Sequence, residues 1–193
     1  GGVGIDFWTN GNVYGPVLNN FVVRDGSGTA VFTDIFGTDP TDQLAPWTAQ
    51  LGTWTPAGGV LQGSSVANQY GYAYYGAAWT DYTVEGRLQL PAGAFAGGIG
   101  GRLNAATGAH YAAWVYPDGS SGGSNVLKVI KYRSWTDWSG TPMQQVSLAS
   151  VGTGWHTLKL GFNGARIQVW YDGNQVVDTT DSGFDSRAAY LSG

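Results

Sequence analysis

Cysteine is absent from this chain, glutamate occurs once, as Glu85, and there are only two histidines. Without cysteine there is no disulfide, no thiolate metal site and no thiol nucleophile. His110 and His156 are too few and too far apart for a histidine-built zinc site. Only 11% of the residues are charged, and the nine basic ones are scattered, so no basic patch offers itself to nucleic acid. No apolar run approaches the length of a membrane span, which argues against membrane insertion. No leader-like segment opens the chain, and a mature or excised piece would read the same. Helix signals are nearly missing: no dozen residues keep a 3.6 period without a glycine interrupting.

Glycine, tryptophan and tyrosine are abundant, with 32, nine and eleven copies. That composition suits strands with broad aromatic faces joined by many turns. Period-two alternation recurs along the chain. In "YTVEGRLQL" Tyr82, Val84, Leu88 and Leu90 share one face. "GGIGGRLN" sets Ile99 and Leu103 against Gly98, Gly100 and Arg102. "HYAAWVYP" sets Tyr111, Ala113 and Val115 against His110, Ala112, Trp114 and Tyr116. "NVLKVIKYR" sets Leu127 and Val129 against Lys128, Ile130 and Tyr132. "WHTLKLGF" and "ARIQVWYDGNQVVD" bury Leu158, Leu160, Ile167, Val169 and Tyr171, with a hairpin turn at Asp172-Gly173-Asn174. Many such strands at regular spacing imply two packed antiparallel sheets. The length and the aromatic strands favour a jelly-roll sandwich forming one domain over residues 1–193. The opening "GGVGIDFWT" is already a strand, with Val3, Ile5 and Phe7 alternating against Gly4, Asp6 and Trp8. The closing "SRAAYLSG" reads as the approach to a strand that does not follow.

If the aliphatic sets face the core, Arg102, His110, Trp114, Tyr116, Lys128 and Tyr132 share the outer face, with Asp6 and Trp8 on an adjoining strand. Aromatic rings stack on the apolar faces of sugars, and planar or charged groups bond their hydroxyls. The same residues read equally as ordinary surface aromatics. Trp135 and Trp138, in "YRSWTDWSG", either grip a ligand from a loop or fold back as a lid. Tyr70, Tyr72 and Tyr74 fall on one face of their strand and Tyr75 on the other. His156 shares parity with Leu158 and Leu160 and reads as a buried, hydrogen-bonded histidine. Asp34, with Asn20 and Asn19 nearby and Asp39 and Asp42 following, offers oxygen ligands for a structural calcium ion. Turn and capping chemistry explains them as well.

No catalytic residue is assigned. Glycoside hydrolysis needs two carboxylates flanking the bond, and Glu85 stands alone, alternating with Arg87 on its own face. No nucleophile elbow, zinc-binding HExxH or phosphate loop is present.

The stretches "FTDIFG", "APWTAQLGTWTPAGGVL", "WTDYTVEGRLQL", "GGIGGRLN", "HYAAWVY", "GWHTLKLGFNGARIQVWYDGNQV" and "DTTDSGF" occur in an order that resembles laminin-G-like, concanavalin-type jelly-roll modules. These include the 3-keto-disaccharide hydrolase domain once called DUF1080 and fructan-binding carbohydrate modules. Such modules end in a glycine-rich strand followed by a strand like "NNFVV". Here those pieces come first, in "GGVGIDFWT" and "PVLNNFVV". The resemblance therefore implies a circular permutation: residues 1–23 equivalent to the family's C-terminal strands, 24–29 a linker, and 30–193 the remainder. A tandem array cut out of register would give the same order. In that case the leading strand completes its own chain or swaps between molecules, leaving a monomer or a strand-swapped oligomer.

The expectation is a non-catalytic, secreted or cell-surface bacterial module that binds a polysaccharide or oligosaccharide on its concave aromatic sheet, with no required cofactor. The alternatives are a structural repeat without a small ligand and a sugar-active hydrolase.

Overall fold

The computed structural model describes residues 1–37 and 44–192. In chain order the strands are β1 (Gly2–Trp8), β2 (Tyr14–Asp25), β3 (Ala30–Asp34), β4 (Thr48–Leu51), β5 (Thr53–Ala57), β6 (Val60–Ser64), β7 (Tyr70–Tyr75) and β8 (Tyr82–Gln89). They continue with β9 (Ala96–Leu103), β10 (His110–Tyr116), β11 (Val126–Tyr132), β12 (Gln144–Ser147), β13 (Trp155–Asn163), β14 (Arg166–Tyr171) and β15 (Asn174–Thr180). One short 3-10 turn, Phe184–Ser186, follows. No helix among the described residues is long and apolar enough to cross a membrane.

Two antiparallel sheets form a sandwich. The first runs β12-β11-β10-β9-β1-β7-β4, and the second β15-β14-β13-β8-β2-β6-β5 with β3 also paired to β2. The leading strand thus sits inside its sheet. Ile5 lies opposite Ala73 of β7 on one side and Ile99 of β9 on the other. β2 fills the matching interior place in the second sheet, between β8 and β6. The slot for β1 is filled by its own chain.

Alternation decides the core. Val3, Ile5 and Phe7 of β1 join Ile99, Tyr111, Ala113, Val115, Leu127 and Val129 on the inner face of the first sheet. Leu18, Val23, Val84, Leu88, Leu158, Leu160, Ile167 and Val169 face them from the second. Each fully buried aliphatic side chain here stabilises the fold by about 1.5–3 kcal/mol relative to exposure. Packing is close enough that glycine is obligatory at places: a Cβ on Gly71 would lie 2.0 Å from the Phe7 ring. The β14–β15 turn takes positive φ at both Asp172 and Gly173, the conformation that suits a two-residue hairpin.

Residues 24–29, expected as a linker, are the end of β2 and a tight turn into β3. Asp25 Oδ1 accepts the Ser27 amide at 2.9 Å, the Ser27 hydroxyl at 2.6 Å and the Thr29 amide at 3.0 Å. A side-chain carboxylate that mimics a backbone acceptor holds the turn in shape.

A second polar device pins the end of the sandwich. Lys131 follows the inner parity of Val129, and its ammonium is fully buried, 2.6 Å from Asp181 Oδ2. It also donates to the carbonyls of Phe184, Arg187 and Ala188. The Tyr111 hydroxyl donates to the same carboxylate. These bonds hold the segment after β15 against the core.

Candidate functional site

The outer face of the first sheet is also covered, by a second cluster of buried apolar side chains. Register sets its rows. Tyr72, Asp6, Gly98, Trp114 and Lys128 lie side by side across β7, β1, β9, β10 and β11. The next row carries Tyr70 and Trp8, whose rings meet edge-on at 4.7 Å. Glycines open room for rings over the strands: a Cβ on Gly4 would stand 2.7 Å from Tyr72, and one on Gly100 3.2 Å from both His110 and the Tyr72 hydroxyl.

Trp8, Tyr70, Phe95, Trp114, Tyr116, Tyr132 and Trp138 wall a cavity of about 290 Å³, completed by Lys128, Ile130 and Gly122. Its polar groups are few. The Lys128 ammonium donates to the Gly122 carbonyl at 2.6 Å and stands 4.4 Å from the centre of the Tyr116 ring. The Trp114 indole Nε1 is buried with no hydrogen-bond partner. Burial raises the pKa of Tyr70, Tyr116 and Tyr132, so the phenols in the wall stay protonated at neutral pH. Burial also lowers the pKa of the Lys128 ammonium.

Asp6 and His110 lie on the same face, both fully buried and outside the cavity wall. His110 Nδ1 is 2.7 Å from the Gly108 carbonyl, and Nε2 is 3.3 Å from Asp6 Oδ2. A carbonyl only accepts, so Nδ1 carries a proton. The ring stacks on Tyr132 with centroids 4.5 Å apart and planes 5° from parallel. Asp6 Oδ1 and the Tyr72 hydroxyl have no partner.

The candidates read from the sequence therefore divide. Trp8, Trp114, Tyr116, Lys128, Tyr132 and Trp138 come together in the cavity wall. Asp6 and His110 form a pair beside it. Trp135 sits beyond them, packed on Tyr72 at 4.9 Å and Tyr74 at 5.3 Å. Both loop tryptophans thus fold back onto the sheet, and Trp138 also walls the cavity.

Arg102 is a correction. It lies at the point where the β1–β9 register slips, and its φ of 52° takes it out of alternation. Its guanidinium leaves the outer face and packs over Phe162 of the second sheet, 4.9 Å from the ring centre. There it donates to the carbonyls of Thr80 and Tyr190 and to Asp81 Oδ1. It is a fastening of the sandwich end, buried and fully partnered.

Asp34 lies opposite Phe21, next to Asn20, as the sequence suggested. Its oxygens accept the Phe36 amide and the Trp47 indole N–H, both at 2.7 Å. Among the described residues no cluster of three or more acidic or histidine side chains is placed to hold a metal. Asp39 and Asp42 lie outside the described residues.

Tyr70, Phe95 and Gly122 join the site without having been singled out for it. The parity of the tyrosine cluster placed Tyr70 with Tyr72. Nothing in "PAGAFAGG" pointed to Phe95, because a loop residue carries no periodicity.

Comparison with known proteins agrees with this architecture. No curated protein matches the chain. A carbohydrate binding module, CBM66 from Bacillus subtilis, superposes with a TM-score of 0.60 at 22% identity, over 70% of this chain and 80% of that one. The model of the 3-keto-alpha-glucoside-1,2-lyase-like domain matches residues 31–190, which leaves β1, β2 and the first residue of β3 outside it. With most of its length matched, the chain belongs to the 3-keto-alpha-glucoside-1,2-lyase-like domain family.

Proposed function

We propose that this domain binds a saccharide in the aromatic cavity over the first sheet, and that it does so as a non-catalytic module of a secreted or surface protein. The observation that carries the reading is the cavity itself: seven rings around about 290 Å³, with an unpartnered indole N–H and a lysine ammonium in the wall. Rings supply stacking surface for the C–H faces of a sugar, and the two donors fix its hydroxyls. The volume is at the small end of ligand pockets, so one end of a glycan enters rather than a long stretch of it. The family to which the chain belongs is named for a sugar lyase, and the similar solved structure is named as a carbohydrate binding module. No carboxylate lines the cavity, so the paired carboxylates of a glycosidase are not among its described wall residues.

A second reading is a sugar-active enzyme. The buried Asp6–His110 pair beside the cavity favours it, because such a pair can relay a proton. Isothermal titration against a panel of oligosaccharides tests the first reading: binding that Trp138→Ala weakens supports it, and no retention of any glycan overturns it. Turnover of a 3-keto-glucoside that Asp6→Asn abolishes would replace it with the second.

The chain order is part of the same proposal. β1 and β2 stand for the closing strands of the family's fold, transposed to the front by circular permutation. Their interior positions and the family match over residues 31–190 support this.

A further inference from the structure

The charge balance of the cavity narrows its ligand. Lys128 stands in the wall with one neutral acceptor, the Gly122 carbonyl, and one ring, that of Tyr116. An ammonium has three donors and carries a full charge, and no carboxylate among the described residues lines the cavity with it. Acidic groups on this face and in its loops have partners of their own. Asp6 Oδ2 faces His110 Nε2 at 3.3 Å. Because Nδ1 already holds a proton against Gly108, that contact requires another proton between Nε2 and Oδ2. Whichever atom bears it, the pair sums to zero charge. Asp118, in the loop that carries Gly122, accepts from Asn125, Ser150 and the Gly152 amide. Asp137, beside Trp138, is 3.0 Å from Arg133. Among the described residues the cavity wall therefore holds one cation and no carboxylate. Burial disfavours that charge, as the lowered pKa shows. Trp114 Nε1, also in the wall, is a buried donor without a partner. A buried donor left without an acceptor costs free energy that a ligand oxygen returns on binding.

We propose that the cavity takes an acidic saccharide, whose carboxylate or sulfate oxygens pair with Lys128 while its ring lies on the aromatic wall. This rests on the saccharide-binding reading and specifies its ligand. The anion meets Lys128, and a ring or hydroxyl oxygen accepts from Trp114 Nε1. A charge-assisted pair contributes more than a neutral one, by about tenfold in affinity.

The test uses acidic polysaccharides and their own chemically neutralised forms, so that stereochemistry is held constant. Uronate polymers are compared with their carboxyl-reduced forms, sulfated polymers with their desulfated forms, and a set of natively neutral polymers is added. Binding is measured by titration on the intact domain, wild type and two variants, Lys128→Gln and Lys128→Arg, each with a melting curve. The expected result is retention of at least one acidic polymer, at least about tenfold loss on neutralisation, and a preference that weakens as salt rises. Lys128→Gln closes the gap between acidic and neutralised forms, and Lys128→Arg keeps it. Carboxyl reduction and desulfation tell the two anions apart. Equal or stronger binding of the neutral polymers overturns the acidic ligand and leaves saccharide binding standing. Retention of none overturns both. A gap that persists in Lys128→Gln removes Lys128 as the anion's partner and overturns the proposal.

Discussion

Lys128 and Lys131 lie three residues apart on β11, an odd step of the alternation, and so face opposite regions of the molecule. Lys131 points inward, where an aspartate and three carbonyls surround its ammonium. Lys128 points outward, into the aromatic cavity, with one carbonyl and one ring. The inner lysine is satisfied by the fold, and removing its counter-ion would leave a buried charge unpaired. The outer one is left short of partners and so is available to a ligand. The same contrast holds across the whole first sheet. Its inner face is closed by apolar contact and by the paired Lys131 and Asp181, and its outer face keeps three buried polar atoms unpaired, on Asp6, Tyr72 and Trp114.

Removing residues 1–29 strikes both faces at once, because β1 gives Ile5 and Phe7 to one and Asp6 and Trp8 to the other. Circular dichroism should show no cooperative melt for the shortened chain, and adding the missing segment as a peptide should restore one. A shortened chain that melts like the intact one would show that the interior strands are dispensable.

Next comes the inner face alone. Asp181→Ala leaves the Lys131 ammonium buried without its counter-ion, and should cost about 3–5 kcal/mol in urea unfolding. The pH dependence has a definite sign. Burial raises the Asp181 pKa, but hydrogen bonds from Lys131, Tyr111 and the Phe184 and Gly183 amides outweigh it and leave the pKa lowered. A lowered carboxylate pKa stabilises the fold above the unfolded value, near 3.9, and that contribution disappears as pH falls through the folded value. The stability gap between wild type and Asp181→Asn should therefore be full at neutral pH and shrink only in strong acid. A gap that shrinks toward alkaline pH would assign it to another group.

The outer face should answer in binding instead. Trp138 is half-buried and reached from the 133–140 loop, so Trp138→Ala should weaken saccharide affinity about tenfold or more while barely moving the melting temperature. Equal losses in both would make it an ordinary core residue. The smallest effect is expected at the rim of the second sheet, where Arg166 and Asp178 pair at 2.5 Å with exposed side chains. Arg166→Ala should change neither binding nor the unfolding midpoint measurably, since water and salt screen such a pair.

Much of this contrast could be read from alternation. The strand faces of Tyr82, Val84 and Leu88, of Tyr111 and Val115, and of Leu127 and Val129 follow period two in the structure. So does the grouping of Trp114, Tyr116, Lys128 and Tyr132. His156 is hydrogen-bonded within the fold, to Asp172 and the Val151 carbonyl, although it is only half-buried. Alternation misplaced Arg102 because a bulge adds one residue and inverts every side assignment at that point. It was silent on Phe95, which a loop delivers. Lys131 shared the parity of Val129, yet its partner lies beyond β15, and no local pattern announces an ion pair across that distance.

The interior seat of β1 also bears on how the domain is made. Its hydrogen-bonding partners, Tyr70–Tyr75 and Ala96–Leu103, come far later in the chain. In order of synthesis β1 precedes both, so neither neighbouring edge exists for it until β7 has followed. Closing so wide a loop before any contact rewards it slows assembly. Meanwhile an apolar ribbon is free to pair with whatever edge it meets. The strand that completes the aromatic face is thus the one whose maturation is most exposed to misassembly.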